Sequence, residues 1–267
     1  MFWMARVGFD PTGEGGEQIA LIRIEGVITQ SEEITKLLNR SQENDHIKAI
    51  LLRIDSPGGA VVPAQEIYDA VLKIRESGHK KIVTSMGTVA ASGGYYIASA
   101  SHFIMANPGT LTGSLGVIME LMNVEGLLSK VGIAQTTIKS GANKDVGSPF
   151  RTMTDSEKAL LQGVSDDIHE QFIDAVAEGR SLEVEGVKVL ADGRVFTGRQ
   201  AKAVGLVDGL GTLEDAVQKT AELAGIKGRP KLVETQNEFS FLKMVQTKLF
   251  GSASYFVPMK FYYLLSF

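Results

Sequence analysis

Two runs near the start of the chain, residues 18–24 (QIALIRI) and 47–54 (IKAILLRI), are apolar almost without interruption. A strand with one face in water alternates apolar and polar residues, so unbroken β-branched runs predict parallel strands buried on both faces. Between them Ile34, Leu37 and Leu38 recur at helical spacing within residues 31–41, with Ser31 as the expected N-cap. Residues 64–75 (AQEIYDAVLKIR) read as a second amphipathic helix whose inner face is Ile67, Tyr68, Val71, Leu72 and Ile74. Short strands are expected over 81–86 and 103–106, with a helix of small residues over 90–100 between them. This alternation predicts a parallel sheet with right-handed crossovers and helices on its faces.

The last third is helical. Residues 154–178 form one long helical stretch opened by Thr154 with Glu157 three positions on, the pattern of a capping box. Two more helices are expected over 198–203 and 213–224, separated by the glycine-rich VGLVDGLGT. No repeat, low-complexity tract or linker divides the chain, so the expectation is one domain with C-terminal helical additions. The end, residues 255–267 (YFVPMKFYYLLSF), is aromatic and broken by Pro258 and Lys260, and too short to cross a bilayer. It is expected to pack as a strand or helix on the body or on another subunit, with a membrane surface as the alternative.

Composition narrows the chemistry. At 267 residues, 44% hydrophobic and 22% charged, the chain is neither disordered, collagen-like nor polytopic. Its 27 basic against 31 acidic residues leave no basic surplus for a dedicated nucleic-acid binder. The absence of cysteine removes disulfides, thiolate zinc sites and a cysteine nucleophile. His46, His79, His102 and His169 show no paired spacing, so no metal site is expected.

Three glycine-rich segments follow expected strands, where open α/β sheets place their sites. Residues 55–59 (DSPGG) either make a plain strand-to-helix turn or free backbone N–H groups to point at a ligand. Residues 90–96 (AASGGYY) put Ser92 among small neighbours at a strand-to-helix junction, as an exposed nucleophile or as an ordinary N-cap. Residues 108–116 (PGTLTGSLG) supply hydroxyls in a tight loop that turn chemistry alone would explain. A serine nucleophile needs a base. His102 begins a buried strand, while His46, His79 and His169 read as surface positions, so a Ser–His–Asp triad has little support. A desolvated lysine is the other option, and Lys130, Lys139, Lys144 and Lys158 all stand open on residue chemistry alone.

The set DSPGG (55–59), ASGGYY (91–96), TGSLGV (112–117), KSGANKDVGSPFR (139–151) and GRVFTGRQAKAVGLVD (193–208) resembles the SppA-type signal peptide peptidases. These are serine–lysine peptidases with a Clp protease/crotonase-like fold. The resemblance spans roughly residues 18–225, leaving residues 1–17 as a lead and 226–267 as an extension without an assigned role. It implies Ser92 as nucleophile, Lys144 as general base, Gly59 and Gly93 as the oxyanion hole, and Ser114 as the hydroxyl orienting the lysine. Lys144 would act within its own subunit or across a subunit boundary. It further implies no metal and no cofactor, since serine and lysine suffice for acyl transfer.

By the same resemblance the substrates are cleaved signal peptides and other apolar peptides, bound extended in a groove for small and aliphatic side chains. The assembly expected is a homo-oligomer, an octamer before a tetramer, close to the membrane on the extracytoplasmic face of the bacterial inner membrane. Family members usually carry a spanning helix before the first strand; the 17 residues ahead of Gln18 are not apolar enough, which suggests a start trimmed past the anchor or a peripheral protein. The rival readings are a crotonase-like acyl-CoA enzyme, which would want carboxylates near the hole, an idle membrane-associated scaffold, and a relative that matures phage capsids.

Overall fold

The computed structural model describes residues 17–234 and 262–264. Its elements run β1 (Gln18–Glu25), α1 (Glu32–Glu43), β2 (Ile47–Ser56), β3 (Gly58–Ala60), α2 (Val61–Ser77), β4 (Lys81–Ala91), α3 (Gly93–Ser99), β5 (Phe103–Ala106) and β6 (Leu111–Gly113). They continue with α4 (Glu125–Lys130), α5 (Asp155–Arg180), α6 (Val184–Leu190), β7 (Val195–Thr197), α7 (Gly198–Ala203), β8 (Gly209–Leu210), α8 (Leu213–Ala224), β9 (Lys231–Glu234) and β10 (Tyr262–Leu264).

The main sheet has the order β7-β6-β4-β2-β1-β9, with β5 pairing β4 and β8. Its pairings are parallel except β6 with β7. The unbroken apolar runs have the cause the pattern implied. Ile22, Ile24, Ile50, Leu52 and Ile54 face a large core shared with Ile67, Val71 and Ile74 of α2 and Phe172 and Val176 of α5. The alternate residues Ile19, Leu21, Ala49 and Leu51 face a smaller core closed by Ala216, Val217 and Ala221 of α8. Both faces are dry along most of β1 and β2, and the smaller core ends at Arg23 and Arg53, which are not buried.

Three local expectations are corrected. Ser31 precedes α1 but makes no side-chain cap; its hydroxyl donates to a carboxylate oxygen of Glu66 on α2 instead. The strand expected to stop at Met86 continues to Ala91, and the helix after it is only Gly93–Ser99. Gly87, Ala90 and Ala91 have little strand propensity of their own, but pairing supplies it: Ala90 aligns with Ser56, and Val89 to Ala91 align with Leu111 to Gly113. The third glycine-rich segment is therefore partly a strand, β6, whose Thr112 hydroxyl donates to the Ala90 carbonyl at 2.6 Å. The capping box at Thr154 and Glu157 is present, and α7 and α8 have the expected bounds.

Candidate active site

β2 ends in Ser56, a buried hydroxyl that donates to the Gly26 carbonyl at 2.6 Å and accepts the Gly58 N–H at 3.1 Å. These bonds hold the turn into β3 while Gly58 takes φ 102°, open to glycine and strained for any L side chain. On one edge of β3, Ile28 N–H donates to the Gly58 carbonyl at 2.9 Å and Ala60 N–H to the Ile28 carbonyl at 2.8 Å. Backbone groups alternate sides along a strand, so the N–H of Gly59 faces the opposite edge.

Ser92 sits in the single-residue turn between β4 and α3, at φ 52° and ψ −117°. A non-glycine residue with positive φ is costly and persists only where the surroundings impose it. Here they do: the Ser92 N–H donates to the Gly113 carbonyl at 2.8 Å, and the Ser92 carbonyl accepts the Tyr96 N–H at 2.8 Å. Asp55 braces the same strand end by accepting the Val89 N–H at 3.0 Å. Gly93 follows directly, its nitrogen 2.7 Å from where a Cβ on Gly58 would stand. The Ser92–Gly93 turn thus lies directly against the Gly58–Gly59 turn. The Ser92 hydroxyl is fully buried and has no hydrogen-bond partner among the described residues, an uncommon condition for a buried polar group.

Ser114 adjoins this turn. It follows Gly113, which receives the Ser92 N–H, is buried, and also takes positive φ, at 51°. Lys144 is not joined to the cluster: it lies on an exposed loop, and no hydrogen bond links it to Ser92 among the described residues. The residues around it, 131–144, are exposed throughout. Of the other lysines, Lys130 and Lys158 are exposed and Lys139 is engaged with Asp145 at 2.6 Å.

The histidines stay outside. His102 accepts the Ile82 N–H at Nδ1, 3.2 Å away, and burial, then Lys81 and Arg75, lower its pKa, which suits a neutral core ring. His169 is less exposed than expected, its Nε2 buried and without a hydrogen-bond partner among the described residues.

Sequence reasoning missed the ring cluster beneath the turn. Tyr96 packs at 4.7 Å from Tyr68 and 5.0 Å from Phe172, ring centre to ring centre. Burial pushes the Tyr68 hydroxyl up to about 12, so it remains a neutral donor, bonded to the Ala175 carbonyl at 3.2 Å. The clue lay in helical spacing: Tyr68 was legible as an inner-face residue, but its facing partner on α5 was not.

A parallel, doubly covered sheet with a strained, buried serine between glycine-bearing strand ends defines a Clp protease-like hydrolase domain. Comparison with known proteins carries this further. The Clp protease family matches residues 18–109, and peptidase family S49 matches residues 74–227. The chain is 48% identical to a Synechocystis sp. protein named "Putative protease" over 212 residues, 79% of this chain and 76% of that one. It is 37% identical over 218 residues to "Putative signal peptide peptidase SppA" of Enterococcus faecium, 77% of this chain and 63% of that one. With "Protease 4" of Salmonella typhi it shares 35% identity over 257 residues, 93% of this chain and 41% of that one. The chain belongs to peptidase family S49, the SppA-type group, and is a serine peptidase. Among the described residues no helix is long and apolar enough to cross a membrane.

Proposed function

We propose that this peptidase works through a Ser–Lys dyad, with Ser92 as nucleophile and Lys144 as general base. The observation that carries the reading is the Ser92 turn itself: a strained serine whose buried hydroxyl has no partner among the described residues, beside the backbone of Gly93 and Gly59. Neutral Lys144 takes the Ser92 proton as Oγ attacks the peptide carbonyl. The carbonyl oxygen gains the negative charge, and the Gly59 and Gly93 N–H groups are already aimed at it, which spares reorganisation at the moment of reaction. When the C–N bond breaks, the lysine returns the proton to the leaving amine. Water, deprotonated by the same lysine, then hydrolyses the acyl-enzyme and regenerates Ser92. Ser114 orients the Lys144 amine.

Lys144 comes from a neighbouring subunit in this reading. Two features support that: the Ser92 hydroxyl has no partner among the described residues, and the segment bearing Lys144 projects apolar side chains into solvent, with Ile138 97% exposed and Leu127 62% exposed. A second copy of the chain would cover both, in a ring of subunits, an octamer before a tetramer. The substrates proposed are cleaved signal peptides and other apolar peptides, bound extended, at the extracytoplasmic face of the membrane. Residues 18–225 are proposed as the peptidase domain, preceded by a short lead.

The test is labelling by a fluorophosphonate, which reacts only with an activated serine. Wild type should be labelled at Ser92 and the Lys144→Ala variant far more slowly. Equal labelling of wild type and Lys144→Ala, or labelling at another serine, would remove the dyad.

A further inference from the structure

The loops that follow β1 and β2 are laced together beside the serine turn. Gly26 N–H donates to the Asp55 carbonyl at 3.0 Å, Ile28 N–H to the Gly58 carbonyl at 2.9 Å, and Ala60 N–H to the Ile28 carbonyl at 2.8 Å. These bonds fix one edge of β3. The other edge, toward which the Gly59 N–H points, is where β10 pairs, with Tyr263 opposite Gly59. Residues 26–28 and 56–60 read GVI and SPGGA, so Ser56 supplies the one polar side chain in the lace.

Ser56 stands where the backbone needs an outside hold. Pro57 has no N–H to give, and Gly58 and Gly59 lack the Cβ that narrows the backbone of other residues. The Gly58 N–H is therefore the first donor after β2, and it goes to the Ser56 hydroxyl oxygen two residues back, at 3.1 Å. The hydroxyl proton goes to the Gly26 carbonyl at 2.6 Å, so a single oxygen ties both loops. Ser56 is fully buried, which removes solvent as a substitute partner. The same residue touches the second donor segment. A Cβ on Gly94, in the first turn of α3, would stand 3.0 Å from the Ser56 carbonyl oxygen and 3.5 Å from the Ser56 Cβ. The helix that starts with Gly93 is thus seated directly on Ser56.

We propose that Ser56 is a positioning residue for the oxyanion hole. Its hydroxyl sets the angle at which Gly58 and Gly59 present the Gly59 N–H, and holds that N–H in register with the N–H of Gly93. This rests on the reading of Ser92 as nucleophile and of the two amides as its oxyanion donors. Ser56 acts through Gly59 rather than on the peptide itself. An oxyanion donor works by being aimed before the charge develops, so a hinge of two glycines beside it has to be held in place. Loss of the hydroxyl frees the Gly58 N–H to turn. That costs the transition state more than the bound peptide, because only the transition state carries the negative charge on the carbonyl oxygen.

The experiment compares wild type, Ser56→Ala, Ser56→Cys and Ser92→Ala as full chains, with folding checked by circular dichroism and thermal melting. All are assayed on an apolar fluorogenic peptide. Wild type and the Ser56 variants are also titrated with a peptide aldehyde, whose adduct on Ser92 places an oxygen in the hole. For Ser56→Ala the expected result is a kcat lower by about ten- to a hundredfold at unchanged KM, with the aldehyde inhibition constant raised by the same factor. The matching peptide alcohol, which forms no adduct, should bind as before. Ser56→Cys, whose thiol is a weaker donor and acceptor, should keep an intermediate rate. A merely structural serine would lower the melting temperature and leave both constants of the folded enzyme as they were. Wild-type kcat in folded Ser56→Ala, or a fall in kcat without the parallel loss of aldehyde affinity, overturns the proposal. If Ser56→Ala does not fold, Ser56→Cys carries the test through the same two constants, with smaller parallel losses expected. Hydrolysis surviving in Ser92→Ala overturns the nucleophile and this proposal with it. An inactive Ser92→Ala beside a fully active Ser56→Ala overturns the proposal alone.

Discussion

Asp145, the residue after Lys144, is gripped by Arg151, whose Nε and Nη2 reach its two carboxylate oxygens at 2.8 and 2.9 Å. The same guanidinium spans to Glu157, the residue that closes the capping box of α5. Lys139 adds a third tie, donating to Asp145 at 2.6 Å and to the Ala142 carbonyl at 2.8 Å. An otherwise exposed loop is in this way anchored to the start of the longest helix, and the anchor is one residue from the proposed base.

Arg151→Ala should therefore loosen the loop that presents Lys144. The account expects kcat to fall about ten- to a hundredfold with little change in KM, since small misplacement of a reacting group is costly in turnover. Steady-state kinetics check this, and Arg151→Lys, which keeps charge but loses the two-pronged bond, should recover only part of the rate.

The same cluster fixes an acid limb of stability. Hydrogen bonds from Arg151 and then Lys139 hold the Asp145 carboxyl well below the usual carboxylate range, and bonds from Arg151 and the Thr154 N–H lower Glu157 to about 2. Both pKa values are depressed on folding, so their stabilisation is complete above the ordinary carboxylate range and is lost as pH falls through the folded values. Thermal melting should show Arg151→Ala less stable than wild type near neutrality, with the gap shrinking as pH drops from about 5 toward 2.

The glycines give a graded test. Gly58→Ala would put a Cβ 2.0 Å from the Tyr263 carbonyl and 2.7 Å from the Gly93 nitrogen, at φ 102°. Activity should fall by at least about a hundredfold, the scale of losing an oxyanion donor. Gly93→Ala meets its nearest neighbours at 3.2 Å and should lose less. Gly109→Ala has nothing within 4 Å and should behave as wild type in both activity and melting temperature.

The strands were readable because they are buried on two faces, which leaves Arg23 and Arg53 as the single polar residues within Ile19 through Ile24 and Ile50 through Ile54. The long helix was readable from Thr154 and Glu157, a local signal that needs no partner. The end of β4 was not: Ala90 and Ala91 extend because β2 and β6 pair with that strand end, and no local propensity reports a pairing. Ser92, Gly59, Gly93 and Ser114 could be gathered from motifs, yet nothing local says that residues near position 260 return to Gly59. Such a contact spans most of the chain and leaves no periodic trace. Lys144 was legible by resemblance alone, and its exposed position explains why residue chemistry could not single it out.

Asp55 contributes at a distance. Asp55→Ala leaves the Val89 N–H without its acceptor, costing about 1–3 kcal/mol, and releases the strand end that presents Ser92. Chemical denaturation should show the loss of stability, and kcat should fall while Asp55→Asn, which keeps an acceptor oxygen, retains most of the rate.

The most direct measurement is hydrolysis of an apolar fluorogenic peptide by wild type, Ser92→Ala, Lys144→Ala, and the two variants mixed and allowed to reassemble. The account predicts that each variant alone loses at least about a thousandfold in kcat. A lysine acts as base only when neutral, so the wild-type rate should rise with pH. Mixing should restore part of the activity, because sites pairing an intact Ser92 with an intact Lys144 from another subunit are formed. Hydrolysis surviving in Ser92→Ala would contradict the nucleophile, and full activity in Lys144→Ala would contradict the base.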